Sequence, residues 1–418
     1  MSERVKQMTG FVSLGGILPL QTDTKILKTP LTVGENPLKN RLAIQPMEGC
    51  DGTTDGAPGE FTVRRYNRLA ESGAGLLWFE ATAVVHEGRA NPRQLFLQPG
   101  NQDAFARLLD EVRERAQSLT GTVPIIIMQA THSGRYSKPD GRPAPLIAYN
   151  NPLFEGENTL PPDRIITDDE LKLLEEKFAE TAKLAVQAGF DGIDVKACHG
   201  YLNSELLNAH TRTGEYGGSF ENRTRFFRNA VDAVRAVVPK DFIVTSRMNI
   251  YDGYPYPYGY GVAGDGGIKP DLSEPIELLQ RLKFDIVDIT MGNPYQNPHV
   301  NRPTELEAVK RMLSLTSQIQ KALPQTAVVG SGFTYLKENS GKAAAGAIEQ
   351  GVCALAGFGR MAFAYPAFAR DILSGSFDKK QSCITCGKCT ELMRAGQVTG
   401  CVIRDDIYTR LYKEVFAK

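Results

Sequence analysis

The segment Gly189-Phe-Asp-Gly-Ile-Asp-Val-Lys-Ala-Cys-His-Gly-Tyr-Leu202 decides the fold of this 418-residue chain. Residues 192–197 form a short run rich in apolar side chains, which predicts a buried strand. Lys196, His199 and Tyr201 gather where that strand would end. A buried strand with polar residues at its carboxyl end is the repeating unit of parallel α/β domains.

Seven further runs of this kind occur along the chain, separated by helix-prone stretches. The predicted strands cover residues 41–46, 76–82, 124–130, 192–197, 242–248, 285–290, 326–330 and 353–358. Helices are predicted between strands, for example over residues 169–188 and 220–238, the second with Ser219 as N-cap and Glu221 in its first turn. Eight strand–helix repeats predict an α/β chain with a (β/α)8 TIM barrel over residues 1–375, rather than an open doubly wound sheet.

Residues 376–418 form a predicted C-terminal extension that carries four of the seven cysteines. They stand in Cys383-Ile-Thr-Cys386-Gly-Lys-Cys389 and at Cys401. Three thiols on one tight loop with a remote fourth suit a [4Fe-4S] cluster better than the paired Cys-x2-Cys motifs of a zinc ribbon. Structural zinc, and disulfides or unliganded thiols, are the alternatives.

Composition points to a soluble cytoplasmic protein. The chain has 48 basic and 48 acidic side chains, so no net field favours nucleic acid or an anionic membrane. Residues 1–10 are charged and polar, and no segment approaches the roughly 20 apolar residues that cross a bilayer. The scattered Cys50, Cys198 and Cys353 favour reduced thiols over a secreted disulfide framework.

In a barrel of this type the chemistry lies at the carboxyl ends of the strands. Polar or glycine-containing segments follow the predicted strands at these points: Pro46-Met47-Glu48-Gly49, Glu80-Ala-Thr82, Gln129, Lys196 with His199 and Tyr201, Arg247, Gly330-Ser331-Gly332, and Gly359-Arg360. The sequence therefore predicts one active site at the barrel mouth.

The chain resembles the old yellow enzyme family, in its iron–sulfur branch with 2,4-dienoyl-CoA reductase and trimethylamine dehydrogenase. The resemblance spans nearly the whole chain. It rests on Asn40-Arg-Leu-Ala-Ile-Gln-Pro-Met47, Glu80-Ala-Thr-Ala-Val84, Gln129-Ala-Thr-His-Ser-Gly-Arg135, the segment 189–202, Tyr216-Gly-Gly-Ser-Phe-Glu-Asn-Arg-Thr-Arg-Phe226, Gly359-Arg360 and the terminal cysteines.

This resemblance implies FMN across the barrel mouth. Pro46, Met47 and Gly49 would flank the isoalloxazine, and Gln129 would bond its pyrimidine edge. Arg247 would lie near N1 and C2=O, where a guanidinium stabilises the negative charge of the reduced ring. The competing interpretations are a barrel-interior ion pair for Arg247 and an interior cap for Gln129.

The phosphate of FMN would lie after the seventh and eighth strands, the usual phosphate site of such barrels. The resemblance implies backbone contacts from Gly330, Ser331, Gly332 and Gly359, with Arg360 as the counter-charge. Without that position, the Gly-Ser-Gly segment would be interpreted as a strand-ending turn.

The segment after strand four carries the predicted reaction. The resemblance implies Tyr201 as proton donor, with His199 and Lys196 stabilising charge on the substrate oxygen. Relatives usually have histidine in place of Lys196, and a lysine point charge favours a carboxylate-bearing substrate. A structural Lys196 paired with Asp194 or Glu48 is the alternative.

The predicted function is a flavin-dependent ene-reductase that transfers hydride to an activated C=C bond. An amine dehydrogenase or demethylase on the same scaffold is the second hypothesis, and a zinc-stapled barrel hydrolase or lyase the third. The sequence predicts no βαβ unit that carries Gly-x-Gly-x-x-Gly, the unit that binds a dinucleotide. The expected electron donor is therefore a separate ferredoxin, flavodoxin or reductase, with direct reduction by NAD(P)H as the other route.

Overall fold

The computed structural model describes residues 20–21 and 23–416. Its strands are β1 (Leu31–Val33), β2 (Asn36–Leu38), β3 (Leu42–Ile44), β4 (Leu76–Ala83), β5 (Ile125–Thr131), β6 (Gly192–Val195), β7 (Ile243–Thr245), β8 (Arg247–Asn249), β9 (Ile286–Thr290), β10 (Ala327–Gly330) and β11 (Leu355–Phe358). Its α-helices are Glu60–Leu69, Gln102–Thr120, Pro152–Glu155, Asp168–Gln187, Leu202–Leu207, Phe220–Arg223, Arg225–Arg235, Ser273–Leu282, Pro298–Asn301, Leu306–Ala322, Ser340–Glu349, Arg360–Ala364, Phe368–Ser374, Lys388–Arg394 and Asp406–Phe416.

Strands β3 to β11 form one parallel sheet in the order β7-β6-β5-β4-β3-β11-β10-β9-β8. The strands at its two ends, β7 and β8, are consecutive in the chain and are separated only by Ser246. β7 pairs with β6 and β8 pairs with β9, so the predicted fifth strand joins both ends of the sheet. The sheet is thereby closed, which confirms the (β/α)8 barrel.

Two predicted elements differ from the structure in detail. The fifth strand is divided at Ser246, because that residue lies where the strand leaves β6 and turns to β9. The helix predicted over residues 220–238 is interrupted at Thr224, whose hydroxyl donates to the Phe220 carbonyl at 2.8 Å. Ser219 is confirmed as N-cap, since its hydroxyl accepts the Asn222 N–H.

The amino-terminal end of the barrel is closed by a hairpin that the sequence analysis did not predict. β1 and β2 pair antiparallel, and their buried Val33 and Leu38 pack with Leu76, Trp78 and Ile127 inside the barrel. Removing these apolar side chains from water favours this closure. The opposite end, at the carboxyl ends of the strands, is the mouth.

The C-terminal extension packs on the barrel beside the mouth. The Asp405 carboxylate accepts two hydrogen bonds from Arg64, at 2.8 and 3.1 Å, and pairs with Arg68. The Thr399 N–H donates to the Gly49 carbonyl at 2.7 Å. The extension is thus held against the first helix and against the loop that follows β3.

No helix among the described residues has the length and apolarity needed to cross a membrane. The polar segment of residues 1–10, and the chain-end limits of the two predicted domains, lie outside the described residues.

Candidate active site

One cavity opens at the barrel mouth and brings together most of the predicted site residues. Those that line it are Pro46, Met47, Gln129, Lys196, His199, Tyr201, Arg247, Ser331, Gly332, Gly359 and Arg360. The wall also includes residues of the extension, namely Cys389, Thr390, Met393 and Thr399. Barrel and extension therefore share one cavity.

Gly49 and Gly330 lie outside the cavity wall. The Gly49 N–H donates to Glu80 Oε2 at 2.7 Å, and a Cβ there would collide with the guanidinium of Arg65. A Cβ on Gly330 would come 2.9 Å from the Cys353 sulfur. Glycine at these two positions avoids collisions with the residues packed behind the cavity wall.

Two glycines, Gly332 and Gly359, border the cavity in the same region as Arg360. Gly332 has φ +99°, a conformation that L side chains rarely adopt. A Cβ on Gly359 would come 3.0 Å from the Met47 sulfur. Backbone therefore borders the cavity here, with Arg360 beside it.

The floor of the cavity rests on the buried carboxylate of Asp194. It accepts hydrogen bonds from Gln129 Nε2 at 2.7 Å, from Trp78 Nε1 at 2.8 Å and from the Arg247 N–H at 2.8 Å. A carboxylate only accepts, so the amide nitrogen of Gln129 must face Asp194. The amide oxygen is left for a donor in the cavity. Burial raises the pKa of Asp194 to about 7.

A second buried carboxylate, Asp288, supports the other side of the floor. Its Oδ2 lies 3.0 Å from Arg247 Nε, and its Oδ1 accepts from Gln45 Nε2 at 2.7 Å. Burial raises the pKa of Asp288 to about 6. Arg247 thus borders the cavity and is also half of a barrel-interior ion pair.

The segment after β6 turns sharply into the cavity. His199 and Gly200 both have φ +68°. A Cβ on Gly200 would collide with the amide nitrogen of Asn293, so glycine allows the loops after β6 and β9 to touch. His199 Nε2 has no hydrogen-bond partner among the described residues. Burial, followed by the charges of Arg247 and Lys196, lowers the pKa of His199 well below its usual value, so its imidazole is neutral.

Lys196 lies in the same wall without a paired carboxylate. Its Nζ is 3.8 Å from the centroid of the Tyr201 ring, a cation–π contact. In the described part of the chain neither Asp194 nor Glu48 reaches ion-pair distance of that ammonium. Burial lowers the pKa of Lys196 and raises that of Glu48, which also lines the cavity.

Tyr201 has a tyrosine partner that the sequence analysis missed. Its hydroxyl lies 3.1 Å from that of Tyr295, and both residues line the cavity. Tyr136 stacks on Tyr295 with ring centroids 4.0 Å apart, and its hydroxyl accepts from Asn293. Burial raises the pKa of Tyr201 well above its usual value, so this phenol is protonated at neutral pH.

Gln45, Tyr295 and Arg302 are cavity residues to which the sequence analysis gave no role. Gln45 is a polar residue directly before Pro46, at the end of an apolar run. Tyr295 and Arg302 follow β9, so the rule that placed site residues after the other strands would have found them. The tyrosine-rich loop over residues 251–260, in contrast, contributes nothing to the cavity wall.

The four cysteines of the extension line a second, smaller cavity. Cys383, Cys386, Cys389 and Cys401 all border it, and Arg360 and Cys389 border both cavities. The Thr385 N–H donates to the Cys383 sulfur at 3.4 Å. Within the described ranges no three His, Cys, Asp or Glu side chains are grouped to hold a single metal ion.

A comparison with protein families matches residues 27–378 to the NADH:flavin oxidoreductase / NADH oxidase family. An NADPH dehydrogenase of Clostridium acetobutylicum is 30% identical over 267 residues, which are 62% of this chain and 72% of that protein. A bilirubin reductase of Mediterraneibacter gnavus is 28% identical over 393 residues, which are 90% of this chain and 56% of that protein.

Solved structures show the same fold. A 2-naphthoyl-CoA reductase complex superposes with a TM-score of 0.77 at 20% identity, covering 93% of this chain and 58% of that chain. Morphinone reductase in complex with tetrahydroNAD gives a TM-score of 0.60 at 23% identity, covering 84% and 91%. The chain thus spans little more than half the length of some relatives.

Arg360→Glu tests the phosphate side of the cavity. We expect this variant to purify largely without FMN, because the substitution replaces a counter-charge with a repelling carboxylate. FMN released from the denatured protein is measured by fluorescence. Arg404→Glu is the control, since Arg404 borders only the cysteine cavity. Full FMN content in Arg360→Glu would refute the assignment.

Proposed function

Because the chain belongs to the NADH:flavin oxidoreductase / NADH oxidase family, we propose that this FMN-dependent oxidoreductase is an ene-reductase. Its substrate class is an alkene conjugated to a carbonyl or carboxylate. The observation that carries the proposal is the Tyr201 phenol, which stands in the cavity beside Lys196 and the neutral His199. These residues combine a proton donor with groups that stabilise an oxyanion.

The residues of the cavity fit FMN. The Gln129 amide oxygen is left free to accept from a ring N–H, as its bond to Asp194 requires. Arg247 offers positive charge beside it, and Gly332 and Gly359 leave space for a phosphate near Arg360. When bound, FMN would supply a hydride to the β-carbon of the alkene.

The side chains of the cavity complete the reduction. Lys196 and His199 would hold the carbonyl or carboxylate oxygen, where negative charge develops as the β-carbon gains hydrogen. Tyr201 would donate its proton to the α-carbon. Tyr295 can donate a hydrogen bond to the resulting phenolate, since the two hydroxyls are 3.1 Å apart. The ammonium 3.8 Å from the Tyr201 ring centroid would stabilise the same charge.

The amine dehydrogenase hypothesis is less compatible with the positively charged side chains that line the cavity. A cationic amine would meet Lys196, Arg247 and Arg302, and the face of Tyr201 is already in contact with an ammonium. The hypothesis of a zinc-stapled hydrolase or lyase without flavin is not supported by the family match, which is to flavin oxidoreductases.

We also propose a [4Fe-4S] cluster on Cys383, Cys386, Cys389 and Cys401. The convergence of the four cysteines on one cavity supports it. The backbone N–H of Thr385 donates to the Cys383 sulfur, a contact usual around such clusters. When bound, the cluster would pass single electrons from a separate ferredoxin, flavodoxin or reductase. Direct reduction by NAD(P)H at the mouth is the competing route.

Tyr201→Phe tests the ene-reductase proposal. Rapid mixing of chemically reduced holoenzyme with 2-cyclohexen-1-one or an unsaturated acid measures alkene reduction. We expect a loss of roughly 10²- to 10⁴-fold, the range for general acid catalysis. Reduction of the flavin itself should change little.

Two matched variants separate the hydroxyl of Tyr201 from its surroundings. Tyr295→Phe removes one hydrogen bond and should cost about tenfold or less. Tyr136→Phe keeps both cavity hydroxyls and should stay near wild type. If Tyr201→Phe retained full activity, the proton would come from elsewhere and the proposed mechanism would be wrong.

Lys196→Ala tests the preference for anionic substrates. We expect KM to rise more for unsaturated acids than for the corresponding neutral ketones, because only the acids lose an ion pair. Steady-state kinetics on such substrate pairs gives the ratio directly. An equal effect on both members of a pair would contradict anion binding.

Cys386→Ala tests the cluster. The variant should lose most of its iron and its turnover with a one-electron protein donor, while chemically reduced FMN still reduces the alkene. Iron analysis and anoxic kinetics measure the two effects, and Cys353→Ala, outside the cysteine cavity, should keep both. Donor-driven turnover without iron would contradict the proposed electron path. Thermal unfolding measured alongside identifies any loss of the folded barrel.

A further inference from the structure

Asp288 stands directly behind a residue of the cavity wall. It is fully buried and does not line the cavity itself. Its carboxylate lies 3.0 Å from Arg247 Nε and accepts from Gln45 at 2.7 Å. Arg247 and Gln45 both border the cavity. Asp288 can therefore act on a ligand only through these two neighbours and through its charge.

Holding Arg247 in place does not by itself require a carboxylate. The Pro46 carbonyl also accepts from Arg247, at 3.4 Å, and Gln45 is also bonded to the Ser331 hydroxyl at 2.6 Å. A buried ion pair can often be replaced as a whole by neutral residues, whereas loss of one partner alone is costly, so any variant of Asp288 must be checked for folding. What a carboxylate adds is a negative charge in a site of low effective dielectric.

That charge opposes the effect of the guanidinium. A positive group near the electron-accepting ring favours the reduced, more negative flavin, and a carboxylate in contact with that group weakens this preference. The second floor carboxylate, Asp194, contacts the backbone N–H of Arg247 rather than its side chain. Of the two, Asp288 is the one that meets the guanidinium.

We infer that Asp288 is a positioning residue that lowers the reduction potential of the bound flavin by offsetting the charge of Arg247. The flavin is thereby a stronger reductant, which increases the driving force for hydride transfer to the alkene. This inference rests on FMN binding at the proposed site. It deepens the proposed function by naming a residue that controls the driving force of its hydride transfer.

Asp288→Asn tests the inference through the direction in which the reduction potential of the flavin shifts. If the carboxylate offsets Arg247, its removal leaves the guanidinium uncompensated and the potential rises. If Asp288 only holds Arg247, the amide lets the guanidinium drift, and the potential falls or stays constant. The two roles thus predict shifts in different directions.

The measurement is an anoxic equilibration of FMN-loaded protein with a redox dye at pH 8, above the pKa of about 6 for Asp288. We expect the equilibrium constant for flavin reduction to increase tenfold or more, which is about 30 mV for a two-electron couple. Asp285→Asn, an exposed change just before the same strand, should leave the potential unchanged.

A second neutral variant, Asp288→Ser, covers the case in which the amide does not fold, and both variants are checked for FMN content and thermal unfolding. A lowered or constant potential in a folded, FMN-loaded variant overturns the inference and leaves FMN binding intact. A wild-type protein that takes up no FMN overturns the proposed function together with it.

Discussion

The closure of the sheet at Ser246 is the constraint on which the rest of the structure depends. On one side of this residue the strand pairs with β6, and on the other side it pairs with β9. Its hydroxyl donates to the Val195 carbonyl, and its own carbonyl accepts the Asp288 N–H. In the closed barrel the carboxyl ends of all the parallel strands surround one mouth, including strands far apart in sequence. Arg247 is aimed at the cavity because it is the first residue after this turn.

Closure also explains why charged groups accumulate beneath the cavity. Asp194 and Asp288 stand on strands that flank the divided strand, and both turn their carboxylates toward Arg247. Unpaired, either would be costly in a barrel interior. Amide, indole and backbone N–H donors bond to Asp194, while Asp288 accepts from Gln45 and lies at ion-pair distance from the Arg247 guanidinium. The buried carboxylates thereby orient the residues that border the cavity.

Features that depend on the order of residues along the chain could be predicted from the sequence. Features that depend on contacts between residues across the barrel could not. Strand positions and the polar residues after strand four follow from local pattern, and the structure confirms the barrel. Periodicity could not show that Gly49 and Gly330 face protein rather than cavity, since that depends on Arg65 and Cys353 from other elements.

Long-range pairing accounts for the missed residues as well. No sequence motif marks Asp288. Its role becomes apparent only from its contact with the guanidinium of Arg247, 41 positions earlier in the chain. Tyr295 becomes significant only because its hydroxyl meets that of Tyr201, 94 residues away in sequence. The hairpin of β1 and β2 was missed for another reason, since strands of three residues are too short to produce a periodic signal.

The extension belongs to the active site rather than beside it. Cys389 and Arg360 border both cavities, and Thr390 of the extension accepts a hydrogen bond from Arg302 in the loop after β9, at 2.6 Å. Under the proposed function, the side chains of Cys389 and Arg360 would separate a group held by the cysteines from the larger cavity. In the same region the guanidiniums of Arg302 and Arg360 have no carboxylate partner among the described residues. Arg360 lies between the two cavities and Arg302 lines the larger one, so under the proposed function both cations would lie near a flavin phosphate or a thiolate-bound cluster and would attract these anions.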